Sequence, residues 1–266
     1  MLKNILIKIK YDGTNFYGWQ IQDGKRTVQG EIEHVLSFIC GEPVSINGTS
    51  RTDRGVHALG QYANFIWDNN LPIDKLPEVM NKRFGSKGLG RSGAPGDIEI
   101  ISAREVSLDF HARFDCKLKT YRYIIDADGD IFERNYCWQF PKALDLSSMK
   151  EAAKYIVGTH DFKCFESSGG NPRKTTVRTV KSISIDECSG YDVNPGRIAI
   201  EVTGDGFLYN MVRIIVGTLV EIGIGKRDAS SMEDIISSKN RSNAGMTAPP
   251  EGLYLKEIYF GGEGVV

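Results

Sequence analysis

The order in which hydrophobic patterns succeed one another is nearly the same in the two halves of this chain, and that recurrence is the strongest constraint on its fold. Residues 5–10 alternate isoleucine and lysine, the period of a half-buried strand. Thr27 opens a segment whose Val28, Ile32, Val35, Leu36 and Ile39 share one helical face, and Gly41 closes it. Strand patterns follow near 43–49 and 60–67, a helical pattern over 74–84, and a strand from Asp97 to Ser102. In the second half, Thr120 to Ile125 sets Tyr121, Tyr123 and Ile125 on one strand face. Ser148 and Glu151 form a capping box for a helix with Met149, Ala152, Ala153 and Ile156 on its apolar stripe. Strands near 178–186 and 197–203, a long helix from Phe207 to Ile222 and a strand over 253–260 complete the series. Each half reads β-α-β-β-α-β, the ferredoxin-like order. The expected fold class is α+β: two ferredoxin-like halves, residues 1–105 and 106–266, with mainly antiparallel sheets facing a central cleft.

Composition excludes several classes. With 41% hydrophobic and 25% charged residues the chain is globular rather than disordered. Lysine and arginine (33) nearly cancel aspartate and glutamate (34), so a uniformly basic coat is excluded while local basic patches are not. The five cysteines are widely spaced without a C-x-x-C, and His160 with Cys164 is too weak a pair to imply a metal. Lysines interrupt the N-terminal segment too early for a signal sequence, and the apolar run Ile214–Val220 is too short to span a bilayer. A soluble cytoplasmic protein with no membrane association is expected. Gly88 to Gly93 is a literal G-x-G-x-x-G, but it follows a helical pattern and precedes a strand, the reverse of a dinucleotide site.

Three segments could carry chemistry. Asn47 to His57 is the densest polar stretch, with Asp53 between Arg51 and Arg54. It reads either as a loop tied by an ion pair or as a carboxylate kept ionised by guanidinium neighbours, usable as nucleophile or base. Arg213 is the one cation in the apolar pattern from Phe207 to Ile222, with Tyr209, Asn210 and Gly217 on its face. A guanidinium buried there needs an anionic partner from elsewhere, which makes a pair with Asp53 attractive. Phe110 to Arg113, running on to Lys117, Lys119, Tyr121, Arg122 and Tyr123, interleaves aromatics and cations. That suits base stacking with phosphate contact, or an ordinary sheet with tyrosines in the core. Basic clusters at Lys82, Arg83, Lys87 and Arg91, and at Arg173, Lys174, Arg178 and Lys181, hint at a localised polyanion track.

Tyr11-Asp12-Gly13-Thr14, Gly18-Trp19-Gln20, Arg26 to Gly30, Arg51-Thr52-Asp53 and Gly55 to Ala58 resemble the TruA-type tRNA pseudouridine synthases. So do Phe110 to Arg113, Lys119 to Tyr123, His160-Asp161-Phe162, Phe207 to Gly217 and Ala248 to Leu255, in family order over essentially the whole chain. The resemblance implies a homodimer of two-domain subunits that isomerises uridine to pseudouridine at positions 38, 39 and 40 of the tRNA anticodon stem-loop, with no metal or organic cofactor. It makes Asp53 the nucleophile, Tyr121 the residue stacking on the target uracil, Arg51 the residue of base flipping and Arg213 the partner of Asp53. Arg54, Lys87, Arg91, Arg113, Lys119, Arg173 and Lys174 are candidate tRNA contacts. The chain departs from the family pattern at Ser50 and Arg54, where glycine and alanine are usual, and in a longer connection over 85–96. Alternatives are a synthase of this family with a shifted RNA target, a non-catalytic RNA-binding protein, and a small-molecule enzyme using Asp53.

Overall fold

A computed structural model describes residues 2–86, 96–170, 174–188 and 196–261 of the chain. It is a mixed α/β fold with, among the described residues, ten strands and five α-helices. Two compact units account for it: Met1–Lys117 with Leu255–Val266, and Leu118–Tyr254. The division therefore falls at Lys117/Leu118, and the last strand is grouped with the first unit.

The first unit contains β1 (Lys3–Tyr11), α1 (Val28–Cys40), β2 (Asn47–Gly48), β3 (His57–Trp67), α2 (Leu76–Ser86) and β4 (Ile98–Val106). Its β1 lies between β3 and β4, antiparallel to both, with Ile7 opposite Ala63 and Ala103. Ile5, Ile7 and Ile9 are fully buried, as their alternation requires, yet Leu6 is also 1% exposed. The other face of β1 is covered locally: Asn4 Nδ2 donates to Ser107 O and Phe110 O, and Asn64 Nδ2 to Asn4 Oδ1. The helix α1 begins and ends as its sequence dictates. Thr27 Oγ1 accepts from Gly30 N at 3.3 Å, and Gly41 ends the helix at φ 77 with its N–H on Ser37 O.

The second unit follows as β5 (Cys116–Asp126), β6 (Trp138–Gln139), α3 (Leu146–Lys154), β7 (Gly158–Asp161), β8 (Val177–Glu187), β9 (Arg197–Gly204), α4 (Met211–Gly223) and α5 (Ser231–Ser238). The chain then returns to the first unit through β10 (Leu253–Phe260), which lies beside β3. In the second unit β9 runs antiparallel between β5 and β8, and β8 pairs β7. β6 pairs β5 in parallel, which makes this sheet mixed. The β-α-β-β-α-β order anticipated for this half is thus lengthened by β6, β7 and α5.

Two helix starts differ from those read in the sequence, each for a local reason. The cap of α3 is Asp145, not Ser148: its Oδ1 accepts from Ser147 N and Ser148 N, and Ser148 Oγ donates to its other oxygen. An aspartate three residues upstream offers two acceptors where the serine offers one, so the helix begins a turn earlier. α4 begins at Met211 rather than Phe207, because Asn210 adopts the left-handed conformation, φ 61 and ψ 8. That conformation cannot continue a right-handed helix. Phe207, Leu208 and Tyr209 consequently form a lead-in, and Tyr209 shares no helical face with Arg213.

Candidate active site

In the first unit, β1, α1 and β3 frame the loop that carries Asp53. The loop leaves β2 and is fastened to β3 at once: Thr49 N and Oγ1 both donate to Tyr62 O, at 2.9 and 3.0 Å. Gln61, fully buried in β3, takes Ser50 by both backbone groups, accepting from its N–H at 3.3 Å and donating to its carbonyl at 2.7 Å. Gln61 thus holds Ser50 by its main chain. Next, Thr52 shares a 2.7 Å hydroxyl–hydroxyl bond with Tyr11 and accepts from Trp19 N at 3.1 Å. Val56 N closes back on Asp53 O at 3.1 Å, and Gly13 N donates to His57 Nδ1 at 3.0 Å.

Two glycines of the 11–20 segment are needed for this approach. Gly18 has φ +90, and a Cβ there would stand 2.7 Å from Thr52 O. A side chain on Gly13 would collide with the carbonyl of Val56. The backbone on both sides of Asp53 is thus fixed, and the residue itself is half-buried. Arg51 and Arg54 are both exposed on the same loop. The Arg54 guanidinium lies 4.4 Å from the centre of the Tyr17 ring, against which Lys25 Nζ also stands at 4.7 Å. This extra cation is therefore held on an aromatic face.

In the second unit, β5 presents Tyr121 opposite Val202 of β9. Tyr121 is only 6% exposed and meets Phe207 edge-on, ring centres 5.2 Å apart. Tyr123 is fully buried, with its hydroxyl donating to Pro249 O at 2.7 Å. Burial pushes that phenol well above the usual tyrosine range, with Glu251 adding to the shift and Arg213 opposing it. The alternation of aromatics and cations along β5 is therefore not an open stacking platform, because its tyrosines are core residues. Lys119, two residues before Tyr121, is half-buried.

Arg213 lies in the first turn of α4 and is partly buried. Its Nε donates to Ala248 O at 2.7 Å and its Nη1 to Asn210 Oδ1 at 2.8 Å. Ala248 N returns a bond to Arg213 O at 3.0 Å. The 241–248 segment is laced along α4 beyond that point. Gly245 N donates to Thr218 Oγ1, Met246 N to Glu221 Oε1, and Arg227 Nε to Glu221 Oε2. Gly217 lets this segment close in, since a Cβ there would collide with the Met246 carbonyl. Residue types alone did not reveal Gln61 and Ala248. A glutamine in the middle of β3, a strand that also carries His57 and Asn64, gave little signal, and Ala248 acts through a carbonyl that every residue has.

The remaining candidates are peripheral. Arg113 is exposed on the turn after β4, beside the stacked pair His111 and Phe114. Lys174 is exposed. Lys87, Arg91, Arg173 and the Gly88–Gly93 motif lie outside the described residues. Among the described residues no group of three or more His, Cys, Asp or Glu is placed to hold a metal, and no helix is long and apolar enough to cross a membrane. Burial pushes the thiols of Cys137 and Cys164 up to about 11 and about 12, so neither is a thiolate at neutral pH.

Residues 7–115 and 152–261 match the family model described as tRNA pseudouridine synthase. The chain is 45% identical to a tRNA pseudouridine synthase A of Acetivibrio thermocellus over 97% of its own length and all of that relative's. It is 43% identical to the tRNA pseudouridine synthase A of a Thermoanaerobacter species, covering 97% of this chain and 100% of the relative. A tRNA pseudouridine synthase A 2 of Clostridium tetani is 44% identical, covering 98% and 100% respectively. Similarity of this extent takes in the Asp53 loop, β5 and α4 together. Pseudouridine has the same atoms as uridine, so its formation is an isomerisation, and the chain is an isomerase of the tRNA pseudouridine synthase family.

Proposed function

We propose that this protein converts uridine to pseudouridine in the anticodon stem-loop of tRNA, at positions 38, 39 and 40. The reaction breaks the N1–C1′ glycosidic bond, turns the uracil and joins C5 to C1′; the C5 proton is lost and N1 gains one, so nothing is oxidised or hydrolysed. Asp53 is the nucleophile, acting on the base or on the sugar and regenerated at the end of either route. The observation that supports the assignment is the fixed backbone around the half-buried Asp53, with Thr52 and Val56 each tied down beside it. Such preorganisation is what an attacking group needs.

The remaining roles are those the family resemblance implies. A uridine must leave its stack, at a cost of a few kcal/mol. Arg51, exposed on the same loop, occupies the space left by the flipped base, and Tyr121 stacks on the uracil. Because Tyr121 is 6% exposed, it suits a pocket for one base rather than a sheet reading a strand. Arg213 pairs with Asp53 and keeps it ionised. Arg54, Lys119, Arg113 and Lys174 contribute phosphate contacts. On this reading an N-terminal domain (1–105) supplies the aspartate loop and a C-terminal one (106–266) the tyrosine and arginine. The two are ferredoxin-like halves of one chain, which works as a homodimer in the cytoplasm.

Release of tritium from C5-labelled uridine in tRNA tests the reaction, and chemical mapping of the product tests the positions. The parent should release label from the anticodon arm, and Asp53→Asn should release none while binding tRNA within a few-fold of the parent, since phosphate contacts supply most affinity. Turnover by the asparagine variant would remove the nucleophile assignment, and tRNA binding without release by the parent would remove catalysis altogether.

A further inference from the structure

Tyr17 lies where the 22–26 turn meets the Asp53 loop. Its N–H donates to Arg26 O at 2.9 Å and its carbonyl accepts from Gln22 Nε2 at 2.8 Å, so the turn closes back on it. Its chain neighbourhood is pinned to the Asp53 loop as well: Gly55 N donates to Phe16 O at 3.4 Å and Trp19 N to Thr52 O at 3.1 Å. The half-buried ring receives one cation from each side, Lys25 Nζ at 4.7 Å and the Arg54 guanidinium at 4.4 Å from its centre. One cation already makes a favourable contact with an aromatic ring, and a second on the same ring adds repulsion between like charges. Nor is that charge cancelled locally. Arg26, the next residue, is paired with Asp97 and Glu31, whereas among the described residues neither Lys25 nor Arg54 is paired with a carboxylate.

We propose that Lys25 and Arg54, both held on the Tyr17 ring, form a clamp for an RNA backbone phosphate beside the target uridine. Arg54 follows Asp53 directly in the chain, so an anion held there lies next to the nucleophile of the proposed reaction. In RNA the anions nearest a uridine are the phosphates that link it to its neighbours. A phosphate carries no base identity, so the clamp sets the register of the strand over Asp53 and not the choice of base. The inference rests on the reading of Asp53 and tRNA given above, and it adds Lys25 and Tyr17 to the site with one part of the substrate assigned to them.

The test is tRNA binding by the full chain as a function of KCl, together with steady-state pseudouridine formation. It compares the parent with Lys25→Gln, Arg54→Gln, the double variant, Tyr17→Leu and Tyr17→Phe. Lys25 and Arg54 are exposed, so their variants should unfold at the parental temperature. Each single charge change should weaken binding by about three- to tenfold at low salt. The double variant should flatten the dependence of log Kd on log salt by about one to two units. The kinetic loss should appear as a raised KM. Tyr17→Leu keeps both charges but removes the face that holds them, and should weaken binding by about threefold. Tyr17→Phe should restore it, because the ring and not the hydroxyl carries the cations. A second measurement locates the phosphate. In a series of tRNAs, each with one linkage near the target uridine replaced by an uncharged methylphosphonate, one replacement should cost the parent about tenfold and the double variant less than about twofold.

A parental salt slope in the double variant overturns the clamp, as does a defect confined to kcat. Equal losses by the parent and the double variant at every replaced linkage overturn it too. In each of these cases Asp53-dependent release of tritium by the parent leaves the reading of the function standing. If the parent neither binds tRNA nor releases tritium from it, that reading falls first, and the clamp with it.

Discussion

Shortening Arg213 to methionine keeps an apolar stem but leaves Ala248 O and Asn210 Oδ1 without their donor. From sequence, a cation in an apolar helix implied a fully buried ion pair and a cost of roughly 3–5 kcal/mol on breaking it. Because the residue is only partly buried, the expected loss is smaller, about 1–3 kcal/mol, as for a stranded acceptor near the surface. Urea unfolding of Arg213→Met measures it, and a loss near 5 kcal/mol would mean deeper burial than described. Gly18→Ala makes a complementary case with no charge involved. It must accept φ +90 and a Cβ 2.7 Å from Thr52 O, so the loop shifts. A cost of about 1–3 kcal/mol is expected, with a catalytic defect larger than the instability explains. Residual activity measured well below the melting temperature distinguishes the two effects. Tyr121→Phe should keep its edge contact with Phe207 and its stacking surface, whereas Tyr121→Ala should lose both, weakening base capture by about 1–3 kcal/mol. Equal tRNA affinity for the two variants would argue against stacking. Asp53, Arg51 and Tyr121 stand out in the sequence as residue types in a pattern; the acceptors bonded to Arg213 do not, because backbone carbonyls and a left-handed turn leave little trace in a sequence.

Helices with strong caps could be read directly, and those with displaced caps could not. Thr27 and Gly41 bracket α1 as their chemistry requires, since a hydroxyl acceptor and a residue free at positive φ are recognisable signals. Ser148 misled because Asp145 upstream is the better acceptor, and Phe207 misled because apolar periodicity continues across a residue that is not helical. α5, eight residues long, and β7, four residues long at the sheet margin, are too short for periodicity to register. The segment laced along α4 gives this scale its own prediction. Burial alone would raise the Glu221 carboxyl, but hydrogen bonds from Arg227 and Lys226 and their charge bring it below the usual glutamate range. A carboxyl lowered in the folded state contributes stability above its unfolded value, and that contribution is lost as pH falls through the folded value. Glu221→Gln should therefore be less stable than the parent at pH 7, and the difference in melting temperature should shrink steadily below about pH 4.5. A difference independent of pH would mean that the bonds matter and the charge does not.

At the scale of the whole molecule, the first unit is discontinuous: its sheet order β4-β1-β3-β10 takes its last member from residues 253–260. The fit there is close, since a Cβ on Gly60 of β3 would stand 2.7 Å from Lys256 O. Removing residues 253–261 should leave the edge of β3 open and the Asp53 loop poorly protected, although no residue of that loop is altered. Faster hydrogen exchange across 57–67 in the truncated chain checks this, and unchanged protection there would show that the strand is dispensable. The division of the chain was only partly legible for the same reason: hydrophobic patterns identify a strand at 253–260 but carry no record of its neighbour. The discontinuity also has a consequence during synthesis. The ribosome releases the Asp53 loop early, but the strand that completes its sheet emerges only after the whole of Leu118–Tyr254. At about 5–20 residues per second the wait between β3 and β10 is roughly 10–40 s, during which β3 offers an unpaired edge to any other nascent chain. The unit that carries the Asp53 loop is thus the first to be made and the last to be finished, and its yield in the cell should depend on how quickly translation reaches residue 260 or on a chaperone that guards the open edge until then.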